Sequence, residues 1–211
     1  MKFIWFCLLA GVIPGCSETR VATFAPITLY TQFEQAPPGA VLEALREEVE
    51  SIMAPIGLRF QWRDLDKTAG HEVSAELAVV TFKGQCDLAG LSTRGRYQGA
   101  LGWTHVSDGQ ILPFTDISCD RVRQFTRSGL LAFRPGDRAA KYGRALGRVL
   151  AHELYHIFAN TIRHGSIGVA KESYSMQDLL ADDFQFQARE SRMLQTNRQR
   201  AAVESTVATM D

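Results

Sequence analysis

Neither sign of charge is in excess in this sequence, because 23 lysines and arginines balance 23 aspartates and glutamates among 211 residues. A nucleic-acid-binding protein needs a basic field that attracts phosphates, so the composition predicts no nucleic-acid partner. The hydrophobic content of 45% and the charged content of 22% are those of a globular protein. The chain also lacks internal repeats and long low-complexity segments. Its length suits one compact domain with terminal extensions.

The N-terminus carries an apolar run over residues 3–13 that is too short to span a bilayer as a mature helix. Lys2 precedes the run and small residues follow it, which is the pattern of an export signal. The end of this segment, IPGC, resembles a bacterial lipobox, although Pro14 replaces the usual small residue. We predict a signal peptide over residues 1–16 with lipidation at Cys16, or a plain cleaved signal. The mature protein is then a membrane-tethered periplasmic lipoprotein of the cell envelope, or secreted.

Cysteine is scarce, and two of the four cysteines lie within the predicted signal peptide. Cys86 and Cys119 remain in the mature chain. An exported domain with two cysteines in an oxidising compartment most simply pairs them, so we predict a disulfide between these residues. The alternative is a pair of metal thiolates, but neither cysteine has a nearby cysteine or histidine at ligand spacing.

The remaining chain mixes strand-like and helix-like patterns, which we assign to a domain over residues 21–186. The C-terminal tail over residues 187–211 is polar and is either helical or disordered. The predicted elements are a strand within 21–33 broken by Pro26, a helix over 39–54, strands over 58–63 and 77–82, a hairpin over 100–117 turning at Asp108-Gly109, a helix over 138–159 capped by Asp137, a loop over 160–171, and a helix over 175–186 capped by Ser175.

Histidine is also rare, yet three of the five histidines fall within thirteen residues. His152 and His156 are four residues apart on the predicted long helix, so their imidazoles project from one face and can share a metal ion. Glu153 follows the first histidine and completes the motif HELYH. In an HExxH motif the two imidazoles bind zinc and the glutamate accepts a proton from water.

Two imidazoles leave a catalytic zinc site incomplete, because such a site normally has three protein ligands and a water. His164 is the first candidate for the third ligand. It lies beyond the predicted helix end, where Gly165 and Gly168 allow the backbone to turn back toward the metal. Glu172 and Asp178 are the alternatives, since a carboxylate from a following segment also completes sites of this kind.

The motif resembles the signature of the zincin metallopeptidases. Residue by residue, the resemblance implies ligand roles for His152 and His156 and a general-base role for Glu153. The later histidine makes the chain most similar to the metzincin branch, whose motif reads HExxHxxGxxH.

The sequence departs from the metzincin motif at two positions. Ala159 stands where the glycine is expected, Ile162 stands where the third ligand is expected, and His164 arrives two residues late. Either the turn is longer in this chain or the chain represents a separate zincin lineage.

The resemblance also implies an α+β, zincin-like fold, in which a twisted mixed sheet packs on the long HExxH helix. Its edge strand, for which residues 100–105 are the candidate, would bind an extended substrate by strand addition. Metzincins place a methionine in a turn beneath the metal; Met176 fits that position or is a core residue. Tyr174 is a weak candidate for hydrogen bonding in the transition state.

The function implied by the resemblance is a zinc metalloendopeptidase that hydrolyses peptide bonds, with a peptide or protein as its substrate. The alternative is a non-catalytic lipoprotein that binds zinc or a peptide through a zincin-like fold. Hydrolysis of a substrate other than a peptide is also compatible with the motif.

Overall fold

The computed structural model describes residues 25–91 and 99–208, with side chains up to residue 203. The predicted signal peptide and Cys16 lie outside these residues. The elements are β1 (Ile27–Gln35), α1 (Gly39–Met53), β2 (Phe60–Asp64), β3 (Leu77–Gln85), β4 (Gly102–Ser107), β5 (Gln110–Ser118), α2 (Cys119–Ala132), α3 (Arg138–Phe158), α4 (Met176–Leu180) and α5 (Ala188–Ala208). Within the described ranges, every helix is too short or too polar to cross a membrane.

The five strands form one sheet in the order β2, β1, β3, β5, β4. All neighbouring pairs are parallel except β4 and β5, which are antiparallel. The predicted α+β fold, with a mixed sheet and a long helix that carries His152 and His156, is confirmed. Strand β4 lies at one edge of the sheet and covers residues 102–107, where the zincin resemblance implied an edge strand over residues 100–105.

The turn between β4 and β5 shows why the hairpin could be predicted. Asp108 and Gly109 both have a positive φ, at 50° and 75°. This backbone matches the right-handed twist of a two-residue hairpin, and aspartate followed by glycine is a favoured pair for it. Ser107 pairs with Gln110 directly beside the turn. The turn therefore sets the pairing at this end of β4, and the register shifts between Thr104 and Val106.

Helix α3 is buried along most of its length and packs against α1 and against the strands β4 and β5. Two glycines on α3 permit this close packing. A Cβ atom at Gly143 would lie 2.4 Å from the carbonyl oxygen of Val41, and one at Gly147 would lie 2.8 Å from that of Leu45. Both obstructing atoms belong to the backbone of α1, which cannot move aside as a side chain does. The absence of a side chain at Gly143 and Gly147 therefore allows α3 to lie this close to α1.

Substituting Gly143 with alanine is expected to destabilise the protein, although alanine favours a helix by about 1 kcal/mol over glycine. Overpacking against the α1 backbone outweighs that gain and lowers the free energy of unfolding by about 1–3 kcal/mol. Gly39→Ala is the matched control, because a Cβ atom there meets nothing within 4 Å. Chemical denaturation of both variants measures the effect. Equal stability of the two variants would contradict this account of the packing.

The predicted disulfide between Cys86 and Cys119 is confirmed. Cys86 directly follows β3, and Cys119 is the first residue of α2. Both residues are buried. The bond therefore ties the end of a central strand to the helix that follows the hairpin.

Helix α2 was not predicted, because its buried positions carry few typical core residues. The buried positions recur at helical spacing, as Cys119, Val122, Arg123, Thr126 and Leu130. The hydroxyl of Thr126 donates to the carbonyl of Val122, and Arg123 pairs with Asp120. A cysteine, an arginine and a threonine on the buried face conceal the pattern from a reading of hydrophobic residues alone.

One predicted helix boundary and one predicted helix cap are wrong. The helix predicted over residues 175–186 ends at Leu180, and Arg144 donates hydrogen bonds to the carbonyls of Ala181 and Asp182 beyond that end. Ser175 does cap this helix, in a reciprocal capping box with Asp178. Asp137 does not cap α3 with its side chain, because it belongs to a short 3₁₀ turn over Pro135–Asp137.

Candidate metal centre and active site

The candidate site begins on the last two turns of α3, where His152 and His156 lie on one face of the helix. Their Nε2 atoms are 3.1 Å apart, and both side chains are buried. Two nitrogens bound to one tetrahedral zinc ion at about 2.0–2.1 Å lie roughly 3.3 Å apart. The spacing of the two imidazoles therefore fits one shared ion.

The protonation of the two rings also fits a metal. The Nδ1 of His152 donates to the carbonyl of Val169 at 2.8 Å, and the Nδ1 of His156 donates to the carbonyl of Thr161 at 2.7 Å. Because a carbonyl can only accept, each Nδ1 carries the proton. Burial lowers the pKa of His152 to about 3 and also lowers the pKa of His156, so both rings are neutral. Each Nε2 then presents a lone pair toward the other, which a cation between them would satisfy.

The chain reverses directly after α3 and brings back the third histidine. Asn160 adopts a positive φ of 46°, and the amide of Thr161 donates to the carbonyl of His156, as at many helix ends. The ring centroid of His164 lies 5.2 Å from that of His152 and 4.8 Å from that of His156. One ligand atom from each of the three histidines lies within 4.8 Å of the others. The structure therefore brings the three predicted ligands together.

The two alternative third ligands are placed differently. Asp178 accepts hydrogen bonds from the backbone and side chain of Ser175 and from Lys171, so its carboxylate is engaged in the cap of α4. Glu172 is exposed and lines the cleft, but it is not part of the histidine cluster. The arrangement of the described residues therefore favours His164 as the third ligand.

The loop after His164 folds back against α3 through its glycines. The amide of Gly165 donates to the carbonyl of Ala170 at 2.7 Å. Gly168 has a φ of 72°, and a Cβ atom there would lie 2.3 Å from the carbonyl oxygen of Gln185. This turn places the buried Val169 where its carbonyl reaches His152.

Glu153 is buried beside the histidines and its carboxylate is held by the edge strand. The hydroxyl of Thr104, on β4, donates to Oε2 of Glu153 at 2.8 Å. Burial raises the pKa of Glu153 to about 7, and the hydrogen bonds from Thr104 partly oppose that rise. A carboxyl group with a pKa near neutrality is suited to accept and return protons.

Two cavities meet at this carboxylate. A cavity of about 310 Å³ is bordered by β4 and by the histidine cluster, and exposed apolar side chains at Val106 and Ile162 line it. A second cavity, of about 390 Å³, lies toward α2 and is lined by Phe125, Val149 and Tyr174. Both cavities include His152 and Glu153 in their walls. The site therefore opens into space on two sides, along the edge strand.

Sequence reasoning missed two residues that shape the site, Thr104 and Gly102. A Cβ atom at Gly102 would lie 3.0 Å from both Cγ and Oε1 of Glu153 and 2.9 Å from Cδ1 of Ile117. Glycine within a strand often marks a close approach of another group, and this was the available signal for Gly102. Thr104 gave no signal, because threonine is common in any strand.

The remaining candidates from the sequence have structural partners. Met176 begins α4, and its sulfur lies 3.1 Å from the amide nitrogen of Gly129 on α2, so it packs between two helices. The hydroxyl of Tyr174 donates to the carbonyl of Val169. Neither contact corresponds to the role beneath the metal or in the transition state that the sequence left open.

No protein-family model and no curated protein matches this sequence. Among solved structures, the crystal structure of archaemetzincin from Methanopyrus kandleri is similar, with a TM-score of 0.47 and 15% sequence identity. The similarity covers 83% of this chain and 97% of the archaemetzincin chain. It concerns the course of the backbone, and the chemistry of the site follows from the site's own atoms.

Proposed function

We propose that this protein is a zinc-dependent metallopeptidase that hydrolyses internal bonds of peptides or proteins. The observation that carries the proposal is the convergence of three imidazoles beside a buried carboxyl group at the edge of a sheet. His152, His156 and His164 would hold the ion. The neutral rings of His152 and His156 and their carbonyl partners fit a zinc site with an oriented outer shell.

A zinc ion held there would supply Lewis acidity, which would polarise a substrate carbonyl and make water a stronger acid. Glu153 accepts the proton of the attacking water as general base. It then returns that proton to the leaving amine. Thr104 holds the carboxylate at the cleft through its hydroxyl hydrogen bond, so the base points to the side of the helix that faces the substrate.

The edge strand supports a peptide as substrate. One side of β4 pairs with β5, and its other side borders the cleft at Gly102 and Thr104. An extended peptide can pair with the free backbone groups of such a strand, and its side chains can then occupy the cavities on either side of Glu153. The apolar side chains of Val106 and Ile162 favour apolar substrate residues in the first cavity.

The proposal includes export. The N-terminal signal pattern and the cysteine of the lipobox-like sequence support a cell-envelope lipoprotein or a secreted protein. The disulfide between Cys86 and Cys119 agrees with an oxidising compartment.

Metal analysis followed by a peptide digest tests the proposal. We expect purified protein to contain one zinc ion per chain and to cleave a mixture of unstructured peptides. The chelator 1,10-phenanthroline should stop cleavage, added zinc should restore it, and the non-chelating 1,7-isomer should have no effect. Zinc without any cleavage would instead identify the non-catalytic binding protein, and cleavage that is insensitive to chelators would contradict the proposal.

A further inference from the structure

One backbone carbonyl joins the candidate metal site to the segment before α4. The carbonyl oxygen of Val169 accepts a hydrogen bond from Nδ1 of His152 at 2.8 Å and a second from the hydroxyl of Tyr174. The Tyr174 ring also packs edge-on against the His152 ring, with the centroids 5.4 Å apart. Tyr174 therefore contacts both the imidazole and the group that orients it.

Tyr174 is itself held firmly in place. Its ring also packs edge-on against the ring of Phe184, with the centroids 5.5 Å apart. The guanidinium of Arg148 lies over the Phe184 ring at 5.4 Å. A hydroxyl held in this way can fix the position of the carbonyl that it binds.

The carbonyl needs such support because it belongs to a loop. Val169 directly follows Gly168, whose positive φ only glycine adopts easily. The amide of Val169 donates to the carbonyl of Gln185, but that hydrogen bond does not fix the orientation of the Val169 carbonyl. The two hydrogen bonds to the oxygen settle that orientation, one from α3 and one from Tyr174.

We propose that Tyr174 is a positioning residue of the metal site, which fixes the Val169 carbonyl so that the Nε2 of His152 faces His156. This inference rests on the proposed function in requiring that the site binds zinc. It assigns Tyr174 no contact with the reacting atoms, because the hydroxyl is already used by the carbonyl. Tyr174 therefore affects catalysis only by positioning His152.

The test is the zinc affinity of Tyr174→Phe, measured by competition with a chromophoric chelator. Loss of an outer-shell partner typically weakens metal binding 10–100-fold, and we expect a loss of about tenfold. The visible absorption spectrum of the cobalt-substituted protein should shift as well. Tyr142→Phe is the matched control, since that buried hydroxyl on α3 also donates to a carbonyl, of Cys119 at 2.8 Å, but has no contact with the histidines. The control should keep the zinc affinity of the unsubstituted protein.

The outcomes separate this inference from the proposed function. Unsubstituted protein that does not bind zinc overturns the proposed function. If that protein binds zinc and Tyr174→Phe keeps both its affinity and the cobalt spectrum, the positioning role is wrong. A loss of kcat with unchanged affinity would place Tyr174 among the catalytic residues instead and would also overturn it.

A second variant covers the case in which Tyr174→Phe does not fold. Phe184→Leu removes the ring that packs against Tyr174 and leaves the hydroxyl present. It should weaken zinc binding in the same direction and by less. Unchanged zinc affinity in a folded Phe184→Leu protein would contradict the positioning role.

Discussion

Glu153→Gln is expected to abolish peptide hydrolysis while zinc stays bound. The amide keeps the size of the side chain and can still accept the hydrogen bond from Thr104, so the local packing is preserved. It cannot accept a proton at neutral pH. Because general-base catalysis typically contributes 10²–10⁴-fold, kcat should fall by at least about 100-fold.

The measurement combines kcat on a fluorogenic peptide with zinc content on the same preparation. Glu172→Gln is the control, because it replaces the same kind of side chain in the lining of the same cleft, outside the histidine cluster. This control should keep both zinc and most of the activity. Full activity of Glu153→Gln would exclude Glu153 as the base, and loss of zinc in that variant would show that its role is structural.

His164→Ala is expected to weaken zinc binding and to remove activity. The substitution leaves two imidazoles on α3, and catalytic zinc sites normally have three protein ligands. The loss of affinity should exceed the roughly 10–100-fold that follows the loss of an outer-shell partner. Chelator competition measures it, and zinc content at equilibrium gives an independent reading.

The same experiment decides among the three candidates for the third ligand. Glu172→Gln and Asp178→Asn should keep the affinity of the unsubstituted protein, because the first residue is outside the cluster and the second caps α4. A large loss of affinity in either variant, together with wild-type affinity in His164→Ala, would assign the ligand to a carboxylate.

The parts of the fold that could be predicted depend on residues close together in sequence. The helix with His152 and His156 follows from a spacing of four residues, and the hairpin follows from Asp108-Gly109. The disulfide needed only the count of cysteines and an oxidising compartment. The helix and the hairpin each depend on residues within one element. The disulfide could be predicted because only two cysteines remain to be paired.

The parts that could not be predicted depend on contacts between distant segments. Thr104 reaches Glu153 from a strand that precedes it by 49 residues. The carbonyl of Val169 orients His152, but any residue type could supply that backbone atom, so the sequence does not reveal the contact. Helix α2 was missed partly because its buried face includes Arg123, whose guanidinium donates to the carbonyl of Gln85, 38 residues earlier in the chain.

The late position of the third histidine also has a local cause. The metzincin motif expects a glycine at residue 159, but the residue with a positive φ is Asn160. The next residue, Thr161, gives its carbonyl to His156. The chain therefore turns at Asn160, and Thr161 orients the second ligand before the chain reaches His164.

The three imidazoles differ in how they are supported. His152 and His156 project from a helix, and each ring is anchored to a backbone carbonyl, so the two Nε2 atoms are already oriented toward a shared ion. His164 sits on an exposed loop. An ion bound there would be held by two anchored rings on the helix and by a third ring on the loop. The loop would therefore supply the least rigid of the three ligands.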